Sequence, residues 1–199
     1  MTGRKGTCGV FAALALLAVA CASDPTSGSL QVAGEPVYLF TAPEPGYFAT
    51  IGEMFDESPL VVLGEVVKVE RGEPMSEGAH PDEDSFLVMG LYTVRVTEAL
   101  KGTPDPTIIV RRTSFSQSGD ELRPVALEGI LPNEVGDSVF WFLEESDGSP
   151  GMLQAFRLQG IFEVRDGMVV SELNVEHGPA HQVDGRLLAE VLDLLAEGS

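Results

Sequence analysis

Glycine and proline interrupt this chain so often that long helices can account for little of it. The 199 residues include 22 glycines and 13 prolines, and both residue types destabilise a helix interior. Between these breakers lie short apolar runs rich in β-branched and aromatic residues, which are typical of strands. They predict strands at 37–40, 60–70, 86–100, 107–112, 138–143, 152–164 and 168–173. The chain is therefore predicted to be mainly β, as a small barrel or sandwich packed by helices.

Local patterns predict how some of these strands are arranged. Tyr92, Val94 and Val96 alternate with polar residues, so their strand should have one buried and one solvated face. Gly64 interrupts the second predicted strand and indicates a bulge or sharp bend, of the kind that a barrel needs at its corners. The Asp-Gly pair at 166–167 is a favoured tight turn and should join the last two strands.

Other segments predict helices and loops. Apolar residues at helical spacing predict a short helix over 47–57 and a C-terminal helix over 184–197, with Asp184 as its expected N-cap. A long polar stretch at 71–85 predicts a mobile excursion between two paired strands. The segment 114–133 is predicted to be rich in loops.

The first twenty residues have the pattern of a bacterial export signal. Arg4 and Lys5 precede an uninterrupted apolar run at 10–20, which is shorter than the roughly 20 residues that a membrane-spanning helix needs. The run ends in Leu-Ala-Val-Ala, followed by Cys21. This ending resembles the bacterial lipobox. The resemblance implies that Cys21 receives diacylglycerol and becomes the first residue of the mature protein.

An ordinary signal peptide is the alternative, because Ala-Val-Ala at 18–20 is a suitable cleavage site and Cys21 would then be incidental. The small polar residues after the cysteine favour the lipobox, since they form a typical flexible tether. We therefore divide the chain into a signal peptide at 1–20, the lipidated cysteine and its tether at 21–35, and one β-rich domain at 36–199. The domain is expected on the extracytoplasmic side of the cell envelope, anchored to a membrane by lipid.

The charge balance excludes nucleic acid as a partner. The chain has 31 acidic and 12 basic residues, a formal net charge of −19. Arg4 and Lys5 lie in the signal, so the mature protein has two cations fewer and a net charge of −21. A field of this sign and size repels phosphate backbones and anionic lipid headgroups.

Cysteine usage removes further classes of chemistry. The sequence has two cysteines, Cys8 within the signal and Cys21 at the lipobox. The exported domain therefore has no thiol for a disulfide, for a thiolate metal site or for a cysteine nucleophile.

Four segments together resemble a known barrel: "PLVVLGEVVKVE", "YTVRVTEALKG", "IIVRR" and "VGDSVFWFLEE". Their spacing and hydrophobic character resemble the OB-type barrel of netrin-like domains and tissue inhibitors of metalloproteinases, over roughly 58–171. The resemblance implies a five-stranded, partly open β-barrel with additional strands and a C-terminal helix. The family's cysteines are missing here, so no functional residue carries over.

Candidate metal ligands are few. His177 and His181 are four residues apart, but Gly178 and Pro179 lie between them and disfavour the helix that would align two zinc ligands. His80 is a lone polar residue. The acidic run Asp82-Glu83-Asp84 offers oxygen ligands to calcium, but its spacing matches no calcium-binding loop. An ordinary polar turn or solvated loop accounts for each group, and no metal site is predicted.

Candidate nucleophiles are equally few. Ser114, Ser116 and Ser118 lie close together, but the G-x-S-x-G elbow is absent. The sequence also lacks a P-loop and a dinucleotide-binding fingerprint. No catalytic residue and no cofactor are predicted.

These observations leave three functional hypotheses from different classes. The first is a non-enzymatic binding module at the cell envelope, because OB-type barrels bind oligonucleotides, sugars or proteins and the charge leaves only a protein or a glycan. The second is a peptidase inhibitor, which only the family resemblance implies. The third is a metal- or serine-dependent hydrolase, for which the sequence contains no recognisable constellation.

Overall fold

A computed structural model describes residues 30, 32–39, 48–75, 85–127, 129–147, 149–155, 158–171 and 178–197. Strands dominate, as predicted. They are β1 (Val37–Leu39), β2 (Leu60–Pro74), β3 (Ser85–Lys101), β4 (Thr107–Ser118), β5 (Glu121–Leu127), β6 (Ser138–Glu145), β7 (Leu153–Ala155), β8 (Ile161–Arg165) and β9 (Met168–Val170). The helices are α1 (Ile51–Glu57), α2 (Pro179–Val183) and α3 (Leu188–Glu197).

Five strands close into a barrel. β2 pairs antiparallel with β3, and β3 with β4; β4 pairs parallel with β7; β7 then pairs antiparallel with β6, and β6 with β2. The predicted OB-like barrel is therefore confirmed, and it is closed rather than partly open. Closure depends on the short strand β7, because Leu153 pairs with Val110 of β4 and Ala155 pairs with Leu143 of β6.

Apolar side chains fill the interior of the barrel. Tyr92 and Trp141 are the largest, with ring centroids 6.4 Å apart, and both are fully buried. Around them pack Val62, Val66, Val94, Ile108, Val110, Val139, Leu143 and Ile161. The alternation predicted for this strand is confirmed at Tyr92 and Val94, which are buried, and at Arg95, which is exposed, whereas Thr93 and Val96 are both half-buried.

The predicted irregularity at Gly64 is also present. The register between β2 and β3 shifts between Leu63 and Gly64. A Cβ at Gly64 would overlap a methyl group of Val94 and would lie 3.0 Å from the carbonyl oxygen of Arg95. The two strands approach here more closely than a side chain allows, which is why only glycine fits.

A helical layer covers one side of the barrel. Outward-facing residues of β2, β6 and β8 form a second core with the three helices; they are Val61, Leu63, Phe140, Phe142 and Phe162, against Ile51, Met54, Ala180, Val183, Val191 and Leu195. The rings of Phe140 and Phe142 are 4.8 Å apart. This layer buries the face of the barrel that β2, β6 and β8 form.

The first helix is shorter than the predicted 47–57. It begins after Thr50, whose hydroxyl accepts a hydrogen bond from the Glu53 N–H, while the Glu53 carboxylate accepts one from the Thr50 N–H. This capping box satisfies two backbone donors and fixes the start of α1 at Ile51.

The C-terminal helix is confirmed, but Asp184 is not its N-cap. Asp184 ends the additional helix α2, with its N–H bonded to the Ala180 carbonyl, and its carboxylate accepts a hydrogen bond from the Ser171 N–H. Gly185 follows with φ of 71°, a conformation that ends a helix. The helix over 184–197 is thus a turn followed by α3 from Leu188.

Two predicted boundaries between strands and loops are wrong. The strand at 107–112 continues to Ser118, and β5 occupies Glu121–Leu127 in the middle of the segment 114–133. The predicted strand 152–164 is divided into β7, a 3₁₀ turn at Leu158–Gly160 and β8. The division follows from β6, since β7 pairs with its last residues and β8 pairs with its first ones.

Beyond the barrel, β2, β3, β4 and β5 extend as a sheet that ends in β1, which lies parallel to β5. β2 remains paired with β3 as far as Pro74, opposite Val88. The predicted excursion at 71–85 is therefore wrong for its first residues, which are still part of β2. Residues 76–84 lie outside the described part of the chain. The predicted turn at 166–167 is confirmed, with Asp166 and Gly167 both at positive φ between β8 and β9.

Candidate functional site

Several candidate residues from the sequence lie outside the described part of the chain. They are Cys21, His80, the run Asp82-Glu83-Asp84, and His177. His181 is exposed on α2. Within the described ranges, no group of three or more His, Cys, Asp or Glu side chains is placed to hold a metal ion. The same part of the chain contains no helix with the length and hydrophobicity needed to cross a membrane.

Two of the three candidate serines lie in the interior. Ser114 accepts a hydrogen bond from the Tyr92 hydroxyl at 2.5 Å and donates one to the Arg112 carbonyl oxygen at 3.1 Å. A Cβ at Gly90 would lie 2.8 Å from the Ser114 hydroxyl, so glycine makes room for it. Ser116 is buried as well, whereas Ser118 is exposed at the end of β4. The arrangement makes Ser114 part of an internal polar network.

Arg112 connects β4 to the loop between β5 and β6. Its side chain is buried and donates to the Asn133 side-chain oxygen at 3.1 Å and to the Ile130 carbonyl oxygen at 3.0 Å. Burial raises the pKa of the Tyr92 phenol, while the positive charge of Arg112 and the hydrogen bond with Ser114 lower it; the net direction is upward. Tyr92 is therefore held in its neutral form.

On a second side of the barrel, no helix packs among the residues that the structure describes. The strand register places Met89 opposite Thr113, Leu91 opposite Arg111, and Thr93 opposite Ile109. These side chains point outward, because the residues between them in β3 and β4 face the interior. We call this surface the open face, and define it by Met89, Leu91, Thr93, Ile109, Arg111 and Thr113. None of the six belongs to the core that the described helices cover.

The centre of the open face is apolar and rich in sulfur. Ile109 is 42% exposed although it lies in the middle of a barrel strand. The Thr113 hydroxyl lies 3.3 Å from the sulfur of Met75 and 3.7 Å from that of Met89. The two methionines therefore meet above Thr113, beside Leu91.

Ion pairs border the open face on the side of β2. Lys68 is paired with Glu70 at 2.8 Å, and Arg95 is paired with Glu65. Both pairs are largely exposed, and exposed pairs contribute little to stability. The two pairs balance the charge along this edge of the open face. The apolar centre lies between them and Arg111.

Arg111 borders the face on the opposite side, where the loop 146–152 joins β6 to β7. Its Nη1 donates to the Ser146 hydroxyl at 3.1 Å and to the Ser149 hydroxyl at 2.8 Å. Ser146 is buried, and its N–H is bonded to the Met152 carbonyl oxygen, which closes the loop on itself. Arg111 is thus held by hydroxyl groups, whereas Lys68 and Arg95 are held by carboxylates.

Sequence reasoning missed the open face, although one signal for it was present. The period of a strand puts Ile108 and Val110 on one side of β4, which leaves Ile109 on the other side, where a polar residue is usual. An apolar residue at such a position marks a surface that is either covered by another element or used for binding. The sequence does not tell which strand faces the helices cover, because α2 and α3 follow the last strand and yet pack against a strand as early as β2.

Comparisons with known proteins do not extend these observations. No family model, no curated protein and no solved structure matches the chain.

Proposed function

We propose that the protein is an envelope lipoprotein, anchored to a membrane through Cys21, whose barrel is a non-enzymatic binding module that holds a protein partner on the open face. The observation that carries the proposal is the apolar centre of this face, which is exposed at Ile109, half-buried elsewhere, and covered by none of the described helices. Ile109, Leu91 and the two methionines above Thr113 form it.

The interior of the barrel supports a binding surface on the outside. Trp141 and Tyr92 fill the interior together with aliphatic side chains, so a ligand has no room there without displacing the core. OB-type barrels use the outer surface of their central strands, with adjacent loops, to bind ligands. The open face lies on the corresponding strands, β3 and β4, next to the loop 146–152.

The chemistry of the face favours a protein over a glycan. Methionine and arginine are enriched at the centres of protein interfaces, and lysine and glutamate are depleted there. Met75, Met89 and Arg111 fit this pattern, while Lys68 and Glu70 are confined to the rim. Flexible thioether side chains also adapt their shape to a partner. The six residues that define the face include no aromatic ring, the group on which sugar rings stack.

Site-specific photocrosslinking in the native host tests the proposal. A photoreactive amino acid at Ile109 of the full-length protein should capture a discrete partner. The matched control is the same amino acid at Asp193, an exposed position of α3 on the helical side. Equal labelling at both positions, or a partner that is captured only from Asp193, would contradict a binding role for the open face. A captured peptidase whose activity falls on binding would favour the inhibitor hypothesis.

A further inference from the structure

The cluster of Arg111, Ser146 and Ser149 has hydrogen-bonding capacity that the described residues do not use. Both hydroxyl oxygens accept from Nη1 of Arg111. A hydroxyl that accepts a hydrogen bond still has its own O–H to donate. Among the residues that the structure describes, neither O–H has an acceptor. Ser146 is only 6% exposed, so this donor lies within the protein rather than in bulk water.

The geometry points to a carboxylate-binding site at the edge of the open face, formed by Arg111, Ser146 and Ser149, which takes an acidic side chain or a C-terminus of the protein partner. This inference rests on the proposed function. Both contacts of the guanidinium use Nη1, and no described residue accepts a hydrogen bond from its other N–H groups. A guanidinium and two hydroxyl donors together match the acceptor-only oxygens of a carboxylate.

The charge of the site favours a monoanion. One guanidinium compensates one negative charge, and the mature chain already has a net charge of −21. That field penalises a doubly charged phosphate about twice as much as a singly charged carboxylate, because Coulomb energy is proportional to ligand charge. A partner that covers the apolar centre also removes Arg111 from water, which is costly unless the partner brings an opposite charge.

A displayed library of random linear peptides provides the probe. Selection is made on the full-length protein in detergent micelles, and bound peptides are retained if the substitution Ile109→Asp abolishes their binding. We expect the retained peptides to share a carboxylate. Conversion of that carboxylate to an amide should weaken binding about tenfold or more, the value of a charge-assisted hydrogen bond.

Variants of the protein identify the residues that contact the carboxylate. Arg111→Gln should weaken binding of the peptide by a similar factor. The carboxylate and amide forms of the peptide should then bind this variant equally. Ser149→Ala keeps the charge and should weaken binding by a smaller factor. Arg186→Gln is the matched control, because it removes an exposed cation between α2 and α3, on the helical side of the barrel; it should leave the affinity unchanged.

The outcomes separate the two proposals. Peptides that depend on Ile109 but not on Arg111, or that carry no common carboxylate, would overturn the carboxylate site and leave the open face intact. A library without any peptide that depends on Ile109 would overturn the proposed function and this inference together. Competition by inorganic phosphate at lower concentration than acetate would also overturn the assignment, because it would show a preference for a dianion.

Discussion

The hydroxyl pair at the end of the barrel allows a quantitative test of the interior. Tyr92 donates to Ser114 over 2.5 Å, and both side chains are fully buried. We expect Tyr92→Phe and Ser114→Ala each to lower the free energy of unfolding. The double variant should lose less than the sum of the two, because the single substitutions break the same hydrogen bond.

The expected sizes follow from the polar group that each variant leaves behind. Ser114→Ala leaves the phenol buried without its acceptor, which costs about 1–3 kcal/mol. Tyr92→Phe leaves a hydroxyl that still donates to the Arg112 carbonyl oxygen, so its cost should be about 1 kcal/mol. The double variant removes both partners of the broken hydrogen bond, so neither is left unpaired. The coupling energy, which is the difference between the sum of the two single effects and the effect of the double variant, should be about 1 kcal/mol.

Urea unfolding measures these energies, with the fluorescence of Trp141 as the signal. Trp141 is the only tryptophan of the chain. Ser118→Ala is the matched control, because Ser118 is an exposed serine of the same strand; its effect should stay within about 0.5 kcal/mol. The slopes of the transitions must agree before energies are compared. A coupling energy within about 0.3 kcal/mol of zero would refute the interaction.

Four further expectations concern other parts of the molecule. Cys21→Ser should abolish fatty-acid labelling and release the protein from membranes; a variant that is still labelled would exclude the lipobox. Burial raises the pKa of Tyr92, so the native state keeps the phenolic proton to higher pH than the unfolded state does. The free energy of unfolding should therefore be unaffected by this group below pH about 10. Above that pH it should fall by up to about 1.4 kcal/mol per pH unit. Tyr92→Phe should flatten this slope in urea unfolding at several alkaline pH values. Gly64→Ala should cost about 1–3 kcal/mol through overpacking, and an unchanged urea midpoint would contradict the close approach of β2 and β3. A fragment spanning 27–199, which contains no cysteine, should fold alone with a melting temperature that EDTA, calcium, zinc and reductant leave unchanged; a rise of about five degrees on saturating metal would indicate a structural ion.

The sequence predicted the barrel well where side chains alternate in hydrophobicity. Tyr92 and Val94 show this pattern, and their strand was found within one residue of its bounds. The second half of β4 was missed because Ser114 and Ser116 are residues that favour turns. In the fold their small hydroxyl groups lie in the interior, where partners such as Tyr92 satisfy them. Those partners are distant in sequence, so propensity alone cannot identify such serines as buried.

The split between β7 and β8 was also beyond local reasoning. The residues from 152 to 164 are apolar enough for one long strand, but β6 has only eight residues for them to pair with. The chain therefore pairs first with the end of β6 and then, after a 3₁₀ turn, with its beginning. A Cβ at Gly160 would lie 2.9 Å from the Phe142 carbonyl oxygen, so the turn packs directly on β6. The division is set by the length of β6, the partner strand, and the residues 152–164 taken alone do not reveal that length.

The same packing argument explains why the open face, rather than the other outward surfaces, is a candidate for binding. In a closed barrel each strand has one set of side chains inside and one set outside, and the filled interior fixes the inner set. The outer residues of β2 and β6 are large and apolar because helices must pack on them; Phe140 and Phe142 are examples. None of the described helices packs on Ile109 on the opposite side, and its side chain is exposed. A threonine would serve the β-strand there equally well, so folding does not require an isoleucine at this position. This is why we propose that the apolar centre of the open face, with Arg111 beside it, contacts a partner.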